Sequence, residues 1–108
     1  MQPSFLGKVT VASAGTPAAV TVDTTVRACK LLFVTIPGLI GNIYVGAASL
    51  NQNTLAGVMI KFNAPGAAGE LNYFEIESPD GSNSLHPSDY WLDASVDGEG
   101  LLVTYFQT

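Results

Sequence analysis

Gly41-Asn42-Ile43-Tyr44-Val45-Gly46 is the stretch that decides how this chain is read. Two β-branched residues flank a tyrosine, and such residues fit a pleated, half-buried surface. A Gly-Asn pair precedes them and a glycine follows, supplying the backbone angles that turns require. The stretch predicts a short apolar strand with punctuation at both ends. Outward from it the same grammar recurs along the chain, and no segment carries a convincing 3.6-residue period.

Eight strand-like segments follow: residues 8–12, 19–22, 26–36, 43–45, 58–62, 71–76, 91–96 and 101–106. In the first, Val9 and Val11 share a face; in the second, Val20 and Val22 alternate against Thr21. Leu31-Leu32-Phe33-Val34 with Ile36 is nearly continuous apolar sequence, which predicts a strand covered on both faces. Val58, Ile60 and Phe62 alternate inward against Met59 and Lys61. Leu92, Ala94 and Val96 share one side, leaving Trp91 on the other. If Leu101, Val103 and Tyr105 face inward, Leu102 and Phe106 face out. Ala14-Gly15-Thr16-Pro17, Pro37-Gly38, the flexible connection 63–69 and Asp97-Gly98-Glu99-Gly100 read as turns, the last as a hairpin. Short strands with turn signals every 8–12 residues predict a β-sandwich or barrel. Eight strands in one unit fit an eight-stranded antiparallel jelly-roll β-sandwich. An immunoglobulin-like sandwich is the runner-up, although its Cys…Trp…Cys spacing is absent.

The 108 residues predict a single domain, 1–108, with 1–7 as a possible N-terminal arm. Apolar residues make up 47% and charged residues 12%, against about 25% charge in typical domains. That shortage of charge predicts that part of the exterior is covered by something other than water. Net charge is −5, with cations only at Lys8, Arg27, Lys30 and Lys61. Four scattered cations build no phosphate-tracking groove, so neither nucleic acid nor an anionic membrane is an expected partner. Cys29, alone and inside an apolar run, reads as a small buried hydrophobe. Met1-Gln2-Pro3-Ser4-Phe5-Leu6 has no basic n-region, so a signal peptide is not expected. The longest apolar run is far short of the ~20 residues of a membrane span.

No chemistry-bearing constellation stands out. His86 lies near Asp80, Ser82, Ser84 and Asp89, but no elbow motif surrounds the serines, and catalysis is not expected. Asp80-Gly81-Ser82-Asn83 has oxygen ligands without the spacing of a calcium loop, and a solvated turn explains it. One Cys and one His do not make a zinc site, and no cofactor is expected. Tyr44, Tyr73, Tyr90, Trp91 and Tyr105 could line a sugar platform, with Trp91 beside the polar loop 77–89 as its best member.

Taken together, Lys8-Val9-Thr10-Val11-Ala12, Gly15-Thr16-Pro17, Val20, Gly41 to Gly46, Gly57-Val58 and Asp93 to Gly100 resemble small virion proteins of tailed bacteriophages. In particular they resemble the jelly-roll capsid decoration, or cement, proteins, over most of the chain from Lys8 to Tyr105. Gly69-Glu70 matches a Gly-Glu that often precedes the sixth strand of that family; the loop 79–89 has no counterpart in it. The shared pieces are strands and turns, so Gly41, Asn42, Gly46, Gly98 and Gly100 carry over as turn-formers.

The resemblance implies a non-enzymatic structural protein on the virion's capsid surface, made in the host cytoplasm. It would bind the head exterior, bridge subunits of the major capsid protein, and self-associate as a dimer or trimer. The expected contacts are Pro3, Phe5 and Leu6 of the arm, Leu39 and Ile40 of the 37–40 loop, and Trp91. The alternative is a tail, baseplate or fibre module that recognises a host surface or carbohydrate through the 77–89 loop with Tyr90 and Trp91.

Overall fold

Alternating apolar residues and glycine-rich turns give the described residues eight strands. The computed structural model describes residues 1–64 and 72–108. The strands are β1 (Gln2–Thr10), β2 (Ala18–Ala19), β3 (Lys30–Thr35), β4 (Ile43–Gly46), β5 (Val58–Phe62), β6 (Tyr73–Glu77), β7 (Trp91–Ala94) and β8 (Gly100–Gln107). A 3-10 turn at Pro87–Asp89 precedes β7, and the described residues contain no α-helix. Residues 65–69 of the expected connection 63–69, the start of the sixth segment at Leu71 and the Gly69-Glu70 pair lie outside the described residues.

The strands form two four-stranded antiparallel sheets, ordered β1-β8-β3-β6 and β2-β7-β4-β5. The pairing is nested: β4 pairs with β5, β3 with β6, β2 with β7, and β1 with β8. β8 then closes on β3, and β7 on β4. The inner faces meet in one core containing Leu31 and Phe33 from β3, Ile43 and Val45 from β4, and Phe62 from β5. Leu92 and Ala94 from β7 and Leu101 and Val103 from β8 complete its centre. Burying each large side chain of this set contributes about 1.5–3 kcal/mol. Cys29 is buried as expected, and its thiol donates to the Phe106 carbonyl at 3.3 Å.

Four local expectations are corrected. Residues 97–100 are not a hairpin, because β7 and β8 belong to different sheets. The chain crosses the sandwich there, since Leu101 and Val103 pair with β3 on one side and Val9 and Gly7 of β1 on the other. Residues 2–7 are not a separate arm; they are the first part of β1, paired with β8 from Gln2↔Gln107 onward. Val22 does not share the buried face of Val20; strand β2 ends at Ala19, and Val22 is 90% exposed beside the Asp23 turn. Gly46 and Gly100 are not turn-formers but strand residues, present because neighbouring backbone comes too close for a side chain. A Cβ on Gly46 would collide with the Gly57 carbonyl, and one on Gly100 with the Val9 carbonyl.

A bulge at Leu6-Gly7 shifts the register between Phe5 and Gly7. Gly7 has φ 76, the left-handed geometry that glycine adopts without cost. The extra residue turns Leu6 toward the core and keeps Phe5 and Lys8 on the outer side.

Gly100→Ala should lower unfolding free energy by about 1–3 kcal/mol, because only backbone can yield to the new methyl group. Urea denaturation of the variant, with an unchanged slope, checks this.

Candidate interaction surface

The two sheets treat their outer sides differently. On β2-β7-β4-β5 the outward residues include Asp93 and its register partner Tyr44, yet both are buried. Asp93 is 1% exposed because the chain's own loops close over it. Its Oδ1 accepts from the Gly15 amide at 2.9 Å and the Ala94 amide at 2.8 Å. Its Oδ2 accepts from Gln52 Nε2 at 3.0 Å, and Gln52 also donates to the Ala94 carbonyl. Gln52 belongs to the connection between β4 and β5. A buried carboxylate needs such partners, and here they double as a lid for the sheet.

Among the described residues, the outer side of β1-β8-β3-β6 has no such lid. Register places three rows across it. Pro3, Phe106, Lys30 and Glu77 form one; Phe5, Thr104, Leu32 and Glu75 the next; Lys8, Leu102, Val34 and Tyr73 the third. Phe5 is 79% exposed, Tyr73 60% and Leu102 42%. Leu32, Val34 and Phe106 are half-buried, and none of them packs on the core. Lys30 lies over the Phe106 ring, 5.3 Å from its centre, and pairs with Glu75 at 3.1 Å. The run 31–36 was expected to be covered on both faces; only its inner face, Leu31 and Phe33, is fully covered. Contiguous apolar residues spread over four strands mark a contact surface.

A second feature lies where the chain crosses between sheets. The Glu99 carboxylate accepts from the Ile40 amide at 2.8 Å and the Gly41 amide at 2.9 Å. Gly41 is required here, because a Cβ would run into Ser95, Val96 and Glu99. Asn42 donates its amide to Ser95 Oγ, and its side chain accepts from the Ala64 amide. The loop is thereby fixed at its base, with Ile40 73% exposed beyond it. A cleft of about 290 Å³ opens beside it, floored by Ile43, Phe62 and Leu39 and rimmed by Thr35, Asn63 and Asn72.

The expected contact residues separate into different places. Pro3 and Phe5 lie on the open sheet face, while Leu6 and Leu39 pack against the core. Ile40 stands at the loop, and Trp91, half-buried, pairs with Gly46 on the other sheet. Leu32, Val34 and Tyr73 were not among the expected contacts; the apolar run 31–36 carries a signal for the first two, and Tyr73 has none beyond its place in a strand. The five aromatics do not form one platform: Tyr44 is buried beneath Lys61, Tyr90 and Tyr105 pack on the core, and Tyr73 faces out from β6. Burial, and then the neighbouring Asp89 charge, push the Tyr90 phenol above its ordinary value.

In the 77–89 loop, Asp80 accepts from the Ser82 hydroxyl at 2.7 Å and the Ser82 amide at 3.1 Å. Asn83 accepts from the Thr108 amide. Gly98 takes φ 81 in the crossing turn. Among the described residues no group of three or more His, Cys, Asp and Glu side chains is placed to hold a metal ion.

Two outcomes test these assignments. Glu99→Ala orphans two amides, which should cost about 1–3 kcal/mol and speed hydrogen exchange at Ile40 and Gly41. The Ser82 hydroxyl and then its amide hold the Asp80 carboxyl below the ordinary 3.8. A depressed value means these bonds persist above 3.8 and are lost only as pH falls through the lowered value. The Ser82 amide resonance should titrate with a midpoint below 3.8, and Ser82→Ala should move the Asp80 midpoint up toward it.

No family model matches the chain, and no curated protein or solved structure matches it significantly.

Proposed function

We propose that this chain is a non-enzymatic structural protein of a tailed-bacteriophage virion, a decoration protein that binds the head exterior and stabilises it. The observation that carries an assembly role is the exposed apolar face of β1-β8-β3-β6, where Phe5, Tyr73 and Leu102 meet water. Such a face favours association with other polypeptide.

The fold reading is a jelly roll. Its support is the strand order, 1-8-3-6 against 2-7-4-5, with nested antiparallel pairs rolled into two sheets. The virion assignment is supported by the likeness of the strand and turn pattern to phage decoration proteins. In this reading the mechanism is mass action. A protein that binds the assembled shell and not its separated subunits stabilises the shell. Weak contacts repeated over an oligomer add avidity. The loop ending at Ile40 is the surface assigned to the major capsid protein, because Glu99 holds its base rigid while its apolar tip stands free.

The test is cosedimentation with purified empty heads of the virus that encodes the chain. The protein is expected to pellet with heads and raise their melting temperature, and Ile40→Glu to weaken binding about tenfold, the scale of one good apolar anchor. Failure to pellet with heads overturns the head assignment; pelleting with isolated tails instead favours the tail alternative.

A further inference from the structure

We infer that the outer face of β1-β8-β3-β6 is a self-association surface whose occupant is a second copy of this chain, stacked face to face about a twofold axis along the strands. This rests on reading the face as an assembly surface and not on the identity of the particle.

Charge selects the occupant. The chain stands at −5, so two copies repel over most approaches. The four charged residues that register places on this face sum to zero, Lys8 and Lys30 against Glu75 and Glu77. The other described carboxylates, Asp23, Asp80, Asp89, Asp93, Asp97 and Glu99, lie off these rows. Repulsion between copies is therefore least when this face meets itself.

The charges are also ordered across the sheet. Edge strand β1 contributes the cation Lys8, and the opposite edge strand β6 contributes Glu75 and Glu77. A twofold axis parallel to the strands lays β1 of one copy over β6 of the other. That arrangement brings each Lys8 toward the partner's acidic edge, twice per dimer, as isologous contacts require. Between the charged edges, Leu32, Val34, Leu102 and Phe106 of the two copies meet as an apolar strip. Face-to-face stacking near −30° is the ordinary geometry for twisted sheets.

Area sets the strength. Four strands about 4.8 Å apart and roughly seven residues long give a flat footprint of about 450 Å² per copy. Two copies reach the region of ~1,000 Å² where specific interfaces begin, before side-chain relief is added. The dimer is accordingly weak and concentration-dependent.

Sedimentation velocity of the full chain over a wide concentration range, without heads, tests this. A reversible monomer–dimer equilibrium is expected. Phe5→Glu and Leu102→Glu should each raise the dissociation constant at least about tenfold. Both side chains are exposed, and unchanged melting curves verify that the variants fold. Lys8→Glu should weaken the dimer, and adding Glu75→Lys, the acidic position one row from Lys8 across the twofold, should restore part of the loss, the signature of direct coupling. A strictly monomeric wild type overturns the inference, as does a dimer indifferent to Phe5→Glu and Leu102→Glu. A charge swap without rescue overturns the twofold alignment. A monomer that pellets with heads only when this face is intact gives the face to the capsid protein, overturning self-association while the proposed function stands. A dimer that ignores heads leaves this inference standing and sinks the head assignment.

Discussion

The architecture depends on one crossing. Between Ala94 and Gly100 the chain leaves one sheet and enters the other, so that β7 joins β4 while β8 inserts between β1 and β3. A crossing this short must satisfy its polar groups inside the protein. Val11 donates to the Glu99 carbonyl, Gly98 donates to the Val11 carbonyl, and the Glu99 carboxylate takes the Ile40 and Gly41 amides. Three of the connections between the sheets are thereby tied at one point.

From that constraint follows an inequality between the two outer sides. A sandwich has a single interior, so residues beyond it need another cover. On β2-β7-β4-β5 the loops around Gly15 and Gln52 supply that cover, anchored on Asp93. On β1-β8-β3-β6 no described loop plays that part, and the outward residues include phenylalanine, leucine, valine and tyrosine.

How much of this was legible in the residues varied with the physics. Segment 58–62 coincides with β5 because strict alternation and a preceding Gly57 left no ambiguity. The first strand was started six residues late, because Pro3 and the Leu6-Gly7 bulge break the alternation that defines a strand. The turn at 97–100 looks like any hairpin locally; only long-range pairing with β1 and β3 reveals that it changes sheets. Asp93 offered no local signal of burial, since its partners lie 78 and 41 positions away at Gly15 and Gln52. The open face was half visible. Leu102 and Phe106 were read as outward from alternation, but the run 31–36 gave no hint that its second cover is missing from the sandwich itself.

The pairing of β1 with β8 has a consequence for biogenesis. Gln2 lies opposite Gln107, so the earliest residues in this sequence find their hydrogen-bonding partner among the last. On a ribosome the N-terminal strand must wait while the rest of the domain emerges, its apolar side chains unpaired. Topologies dominated by such distant contacts fold slowly and expose sticky intermediates. The Gly7 kink and the Lys8 charge on this strand are of the kind that blunts an edge against unwanted pairing.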